Sequence, residues 1–357
     1  MTQSRKLLLM STPVGALGTG QGGGVELTVQ NIAQELQQRG NQLEVVAPFG
    51  SFLKGVRVKE ITGNPQIAVQ TQSKDVPIML PKNSTLANMW EYARQVQNQY
   101  DLIVNFAFDW LPFYLTPFFS TPIAHFISMG SMTPALDEMM ERTAKLYPDR
   151  IGVYTKSQAE TFAFAEICEI LSSAIDLSLY NFCATPDNSI AWLGRIAPEK
   201  ALEDAVAAAN ITKVPLKIYG KIQDQDYWQQ IQQDFPHAPI EYMGFLNTED
   251  LQKELGQARA LLMTPRWIEA FGNVAIEALA CGVPVIAYRR GGPSEIIRDG
   301  ITGFLVEPDS IPGLVTAIEN IDNLSRIACR QQAEAEYSLT ALGDRFESWF
   351  DKILNNS

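Results

Sequence analysis

Histidine and cysteine are scarce in this chain, at two and four of 357 residues. The cysteines, Cys168, Cys183, Cys281 and Cys329, show no CxxC spacing. A zinc cage and a disulfide framework are therefore not indicated; no metal site is expected, and the thiols are expected to be buried in a reducing compartment. Long apolar runs are missing too. The Leu-rich stretch after Lys6 is interrupted at Pro13 with no cleavage site behind it, so neither a membrane span nor a signal peptide is expected. Basic excess is lacking: the net charge is −12, with 13 Lys/Arg against 15 Asp/Glu in residues 1–175 and 15 against 25 in residues 176–357. Such a balance disfavours nucleic acid and anionic membrane surfaces. A small soluble partner, no stable membrane association and a cytoplasmic location are expected; nothing in the sequence sets an oligomeric state.

What is present is globular: 46% hydrophobic and 19% charged residues, without repeats, over a length that suits two domains. Short apolar runs alternate with helical-period segments, which indicates an α/β protein with mostly parallel sheets. Strands are expected at 6–11, 43–47, 102–106, 123–127 and 151–154, and a second series at 191–193, 217–219, 260–263, 285–287 and 303–306. Residues 25–38 read as the first helix, stopped by Gly40. Two Rossmann-like halves fit, joined within 172–188. The amphipathic segment 339–354 fits either half.

In such folds ligands collect outside the carboxyl ends of the strands, and the chemistry of this chain lies there. The run Thr264–Gly282 holds Glu269 and Glu277 around a Phe271-Gly272-Asn273 turn. A helix starting near Gly272 or Asn273 would leave its first N–H groups without intrahelical partners beside both carboxylates, an arrangement suited to a ligand with hydroxyls and negative charge, such as a nucleotide sugar. Gly194-Arg195…Glu199-Lys200 opens another helix, and a guanidinium fork with an ammonium nearby can serve one diphosphate. Gly291-Gly292-Pro-Ser-Glu295 precedes a further helix; Glu295 either joins the ligand site or only favours the helix dipole.

Gly18-Thr-Gly-Gln-Gly-Gly23 matches the dinucleotide fingerprint, but the acidic residue expected about 20 positions on is missing. Gly22, Gly23 and Gly24 instead fit an anion-binding loop at a helix start, or a glycine-rich surface loop without ligand. His125, among apolar residues at a strand end, is either a satisfied core histidine or a group facing the cleft, and its position favours the second. Asn105–Phe119 holds seven aromatics. Most suit a core, while a subset with Asp109 could stack a flat acceptor. Asp224-Gln-Asp226 has the form of a metal motif but reads as a helix start, and His237 as a surface residue.

Together these residues resemble the retaining GT-B glycosyltransferases of family 4. The resemblance rests on Gly194-Arg195…Glu199-Lys200, Glu269-Ala-Phe-Gly-Asn…Glu277-Ala-Leu-Ala-Cys-Gly, Gly291-Gly292…Glu295…Asp299-Gly300…Gly303 and Ser173–Tyr180. It implies two Rossmann-like domains with parallel sheets facing a central cleft: an acceptor-side domain at 1–172, a nucleotide-sugar domain at 173–338, and a C-terminal helix at 339–357 crossing back to the N-terminal domain. Arg195 and Lys200 would hold the donor diphosphate and Glu277 the ribose. Glu269 with Phe271, Gly272 and Asn273 would grip the sugar, with Gly23 and Gly24 near the phosphate, His125 near the sugar, and Tyr219 and Phe245 near the uracil. Ala201 departs from the family's glycine, with a small expected effect.

The stretches Ser11–Gly15, Gly22–Thr28, Asn105–Phe119 and Ile127–Ser131 further resemble the cyanobacterial members that glucosylate tetrahydrobiopterin. That likeness implies UDP-glucose as donor, tetrahydrobiopterin as acceptor with contacts from Phe108, Asp109, Trp110 and Met129, an α-glucoside product, and no metal or cofactor. Other donors or acceptors in the same family, a UDP-sugar epimerase, a nicotinamide oxidoreductase and an inactive sugar-binding module are the alternatives.

Overall fold

A computed structural model describes residues 4–19, 23–66 and 78–356. The chain divides into two compact units, Met1–Ser173 with Leu339–Ser357, and Ala174–Ser338. Along unit 1 run β1 (Lys6–Met10), α1 (Gly23–Gln38), β2 (Gln42–Pro48), β3 (Arg57–Ile61), α2 (Thr85–Val96), β4 (Leu102–Asn105) and α3 (Trp110–Leu115). They are followed by β5 (Ile123–Ile127), α4 (Pro134–Leu146), β6 (Ile151–Val153), α5 (Lys156–Ala159) and β7 (Glu169–Ile170). Unit 2 continues with β8 (Ile190–Leu193), α6 (Leu202–Thr212), β9 (Leu216–Tyr219), α7 (Gln225–Asp234), β10 (Ile240–Gly244), α8 (Thr248–Gln257) and β11 (Leu261–Met263). It ends with α9 (Asn273–Ala280), β12 (Val285–Tyr288), α10 (Pro293–Ile296), β13 (Gly303–Val306), α11 (Ile311–Asn320) and α12 (Arg326–Glu336), before α13 (Leu339–Asn355) rejoins unit 1.

Among the described residues the strands form two sheets, ordered β3-β2-β1-β4-β5-β6-β7 and β10-β9-β8-β11-β12-β13. All of their pairings are parallel. Apart from Lys6 at the start of β1, the central strands are buried, which is why they read as near-continuous apolar runs. The three strands without an apolar signal, β3, β7 and β10, all lie at sheet edges and expose much of their surface. There the sequence can stay polar, as in Arg57-Val-Lys-Glu-Ile61.

In each unit the order reverses at its first strand. β1 lies between β2 and β4, and β8 between β9 and β11. The carboxyl ends of β1 and β4, and of β8 and β11, are therefore the topological switch points, the usual ligand position in such sheets. Helix starts are capped where the sequence supplies a side chain: Ser84 accepts from Ala87 N–H for α2, Asn247 from Asp250 N–H for α8, and Asp224 from Tyr227 N–H at 2.9 Å for α7. Asp224-Gln-Asp226 is thus a helix start, as its polar setting indicated.

The unit 2 core packs Trp192, Leu216, Ile218, Leu262, Ile286 and Tyr288 under α6 and α11. Helix α13 turns Phe346, Trp349 and Phe350 inward, and Trp349 Nε1–H donates to Asp149 O at 2.7 Å. The four cysteines are free; Cys281 and Cys329 are buried as expected, whereas Cys168 and Cys183 are only half-buried. No helix among the described residues is long and apolar enough to cross a membrane.

Candidate functional site

The switch point of unit 2 assembles the polar groups singled out above. β8 and β11 pair directly, Leu261 with Ala191 and Leu262 with Trp192, so the loops that follow leave from adjacent positions. They are then pinned together. Trp192 Nε1–H donates to Thr264 Oγ1 at 3.2 Å, the Thr264 hydroxyl donates to Ala201 O at 2.8 Å, and Arg266 N–H donates to Glu199 O at 2.9 Å. The consequence is an ion pair between Lys200 and Glu269, both largely buried. Trp267 completes it: Lys200 Nζ lies 4.9 Å from the ring centroid, and Trp267 Nε1–H donates to Glu269 Oε2 at 3.1 Å.

A second layer holds the loop from below. Arg266 pairs with Glu203 and, at 3.0 Å, with the buried carboxylate of Asp204, which also accepts from Tyr288 Oη at 2.7 Å. Burial, opposed by these bonds, raises the Asp204 pKa above the ordinary carboxylate range.

Helix α9 begins at Asn273, and its N-cap Gly272 has φ 99° and ψ 62° with no side-chain cap. A side chain at that φ would be strained, and its Cβ would meet Met263 Cε at 3.0 Å. The Gly291-Gly292 turn lies against the same loop: Gly292 N–H donates to Glu269 O at 2.7 Å, and a Cβ at Gly292 would come within 2.2 Å of Phe271 O. Two buried polar atoms near this meeting of segments, Asn273 Oδ1 and Ser294 Oγ, have no hydrogen-bond partner. Such orphaned groups are uncommon in proteins.

Glu277, the fifth residue of α9, is half-buried. Burial pushes its carboxyl up to about 7, against an opposing contribution from the Tyr180 hydroxyl that faces it. Tyr180 is itself fixed to the far end of α9. Arg330 donates to both Tyr180 O and Ala280 O at 2.8 Å, and Cys183 N–H donates to Cys281 O at 3.1 Å. No local pattern marks Tyr180 or Trp267 as partners of these carboxylates.

Several expected residues stand elsewhere. Arg195 is not brought to Lys200's partners: its guanidinium bonds the Gln223 carboxamide and lies 3.0 Å from Glu199. Glu199 and Gln223 line a cavity of about 370 Å³ with Asp224 and Asp226, and each cation is neutralised by a carboxylate of its own, Arg195 by Glu199 and Lys200 by Glu269. Tyr219 is corrected from a base-facing position to the core. It is 1% exposed, with its hydroxyl 3.4 Å from Glu254 Oε2, because the last residue of β9 turns inward. Phe245, one residue beyond β10, is 61% exposed, with Lys221 Nζ 4.6 Å from its ring centroid. Glu295 is exposed in the first turn of α10, and His237 is exposed.

In unit 1, His125 is also corrected. It has no exposed surface, stacks on Phe113 at 4.3 Å, and both ring nitrogens are engaged. Asn105 Oδ1 accepts from Ala107 N–H, so Asn105 Nδ2 is the donor to Ala107 O and to His125 Nδ1 at 3.2 Å. The imidazole must then carry its proton on Nε2, which donates to Thr116 Oγ1 at 2.9 Å, and that hydroxyl donates to Pro112 O at 3.0 Å. Every proton in the chain is placed, and burial pushes the His125 pKa down to about 3. This is a satisfied core histidine with no nitrogen to offer a ligand.

Asp109 caps α3 by accepting from Leu111 N–H, and burial raises its pKa. Trp110 stacks on Tyr114 at 4.6 Å, and Tyr114 and Phe118 are exposed. Phe108 and Trp110 pack at the edge of the core beneath α3 and α4, and Met129 O accepts from Gln158. Gly23 and Gly24 start α1, where Glu26 in the first turn accepts from Gly18 N–H at 2.5 Å; Gly20–Gly22 of the glycine run lie outside the described residues. Among the described residues no cluster of three or more His, Cys, Asp or Glu could hold a metal ion.

Two parallel sheets in this strand order define a class, the GT-B glycosyltransferase fold. The chain superposes on an Anabaena protein, Alr3699/HepE in complex with UDP, with a TM-score of 0.76 at 18% identity, covering 98% of this chain and all of that one. It matches the sucrose-phosphate synthase of Thermosynechococcus elongatus with a TM-score of 0.74 at 19% identity, covering 99% and 100%. Residues 183–337 match the family model described as glycosyl transferases group 1. Over 92% of its length the chain is 26% identical to the D-inositol 3-phosphate glycosyltransferase of Nocardia farcinica, covering 84% of that protein.

Proposed function

We propose that this chain transfers glucose from UDP-glucose to a hydroxyl of a small soluble acceptor, with retained anomeric configuration and without a metal. The observation that carries the reading is the Lys200–Glu269 pair beside the uncapped start of α9, inside the segment that matches group 1 glycosyltransferases. Lys200 and the first α9 amides offer positive charge to a pyrophosphate, and Glu269 and Glu277 accept from sugar and ribose hydroxyls. Arg195 joins Lys200 only if it exchanges Glu199 for phosphate. In the reaction the bond from the sugar's anomeric carbon to the phosphate oxygen breaks and a bond to the acceptor oxygen forms on the same face. The acceptor proton passes to the departing phosphate oxygen. The transition state resembles an oxocarbenium ion, and charge growing on the leaving group is stabilised by fixed donors.

For the acceptor we propose a reduced pterin, tetrahydrobiopterin. A flat ring suits stacking on the exposed aromatics of α3 and its following turn, Tyr114 and Phe118, and Asp109 lies at the start of that helix. The test is to incubate the protein with UDP-glucose and each candidate acceptor, tetrahydrobiopterin and D-inositol 3-phosphate included, and to seek a hexose adduct by mass spectrometry. Transfer to the pterin supports the reading. Transfer only to the inositol phosphate replaces the acceptor and spares the donor half, and an epimerised UDP-sugar without acceptor replaces the reaction.

A further inference from the structure

Trp267 touches both members of the Lys200–Glu269 pair, through two different parts of one ring. Its face carries Lys200 Nζ at 4.9 Å from the centroid, and its edge donates from Nε1 to Glu269 Oε2 at 3.1 Å. The ring sits on a loop with little freedom. Arg266 N–H is tied to Glu199 O on the preceding side, and Arg290 Nη1 donates to Pro265 O at 2.9 Å.

Lys200 and Glu269 satisfy one another. An anion that draws Lys200 away leaves the carboxylate without its cation, largely buried, a costly state unless another donor stays in place. The indole N–H is such a donor. The ring face meanwhile keeps a seat for the ammonium, since an aromatic face attracts a cation wherever it sits above the ring. Face and edge therefore act on different partners at different moments.

We propose that Trp267 is a positioning residue that hands Lys200 from Glu269 to an incoming pyrophosphate while keeping Glu269 aimed at the attached sugar. The face sets affinity for the nucleotide, and the edge sets the further affinity contributed by the sugar. The inference rests on the donor reading of Lys200 and Glu269 given above.

The test measures dissociation constants for UDP and for UDP-glucose by calorimetry on the purified full chain. Trp267→Phe keeps a face and removes the N–H; Trp267→Leu removes both. Trp267→Phe should hold UDP within about twofold of the parent and weaken UDP-glucose relative to UDP by about tenfold, the scale of one hydrogen bond to a charged group. Trp267→Leu should in addition weaken UDP itself by about threefold to fivefold, the scale of a lost cation–π contact. Equal effects of the two variants on UDP, or an unchanged ratio of the two ligands in Trp267→Phe, overturn the proposal. If Trp267→Leu does not fold, the ratio in Trp267→Phe decides alone. Lys200→Ala and Glu269→Ala run beside them. If Lys200→Ala leaves UDP affinity intact, or Glu269→Ala leaves the ratio intact, the donor reading itself fails; if both act as read and Trp267→Phe does not, this inference alone fails.

Discussion

Unit 1 and unit 2 share a strand order, but the polar groups around His125 in unit 1 and around Lys200 and Glu269 in unit 2 are satisfied in opposite ways. In the unit 1 sheet His125, the middle residue of β5, closes a chain from Asn105 to Thr116 to Pro112 in which each proton has one place. At the carboxyl end of the unit 2 sheet, Lys200 and Glu269 neutralise one another, Arg195 borrows Glu199, and Asn273 Oδ1 and Ser294 Oγ have no partner. The first arrangement is complete without a ligand. On the donor reading the second exchanges partners, and a ligand with phosphates and hydroxyls would take up the groups that now pair with one another. Closed networks specify a fold and open ones specify a partner.

The sharpest way to break this comparison is Lys200→Ala. On the donor reading it removes a charge that acts mainly on the leaving group, so turnover with UDP-glucose should fall about 100-fold or more, with a melting temperature lower by only a few degrees. Steady-state rates beside a thermal melt decide the matter. A large melting loss with near-normal turnover would make the pair structural and unit 2 as closed as unit 1.

Glu277→Gln comes next and separates the two kinds of burial. The Glu277 carboxyl is raised to about 7, so the folded protein holds this proton more tightly than the unfolded chain. Its contribution to stability is therefore present below the ordinary carboxylate pKa of about 4.5 and is lost as pH rises through about 7. Glutamine mimics the protonated form. At pH 7.5 the variant should be no less stable than the parent, yet should bind UDP about tenfold to 100-fold more weakly, because charge-assisted bonds to the ribose are gone. Calorimetry and urea unfolding at pH 5 and 7.5 give both quantities. Unchanged UDP affinity would remove Glu277 from the donor site.

His125→Asn should do the reverse: lose stability and spare UDP binding. Removing the ring leaves space against Phe113 and takes from Thr116 Oγ1 the N–H it accepts, at a cost of about 2–4 kcal/mol. The acid slope should change as well. With the His125 pKa pushed from 6.5 down to about 3, the folded state excludes a proton that the unfolded chain takes up. That contribution is full above pH 6.5 and declines toward pH 3. Between pH 4.5 and 6.5 the His125 and Glu277 slopes oppose one another, so the two variants should change the parent's slope in opposite directions. A turnover loss greater than tenfold in His125→Asn at unchanged UDP affinity would reopen a direct role for the imidazole.

The same contrast explains how much could be read from the sequence. The buried central strands declared themselves because both faces are apolar; the edges β3, β7 and β10 did not, because exposure frees their composition. In unit 2 the start of α9 was legible, since Phe271-Gly272-Asn273 has local turn chemistry. Which way Tyr219 and His125 point was not. A strand side chain enters the core or leaves it according to the pleat and its neighbours, and Asn105 and Thr116 meet His125 only in three dimensions. Tyr180 beside Glu277 is the same kind of contact, made from the opposite end of α9.

The smallest expected effect concerns Ala201, which joins the Lys200 turn to α6 with φ 45° and ψ 53°. A left-handed alanine costs about 1–2 kcal/mol. Glycine would relieve that cost, but it loses about 0.5–1 kcal/mol more conformational freedom on folding and gives up a fully buried methyl worth about 0.8 kcal/mol. These terms nearly cancel. Ala201→Gly should therefore shift unfolding free energy by less than about 1 kcal/mol, read from urea midpoints, and should leave UDP affinity within about twofold. The backbone of residue 201 is held independently, its carbonyl by Thr264 and its N–H by Pro198 O at 3.1 Å. A stability gain above about 2 kcal/mol would mean that the turn carries more strain than one left-handed residue accounts for. Weaker UDP binding at unchanged stability would mean that the alanine methyl, rather than those two hydrogen bonds, keeps Lys200 in place.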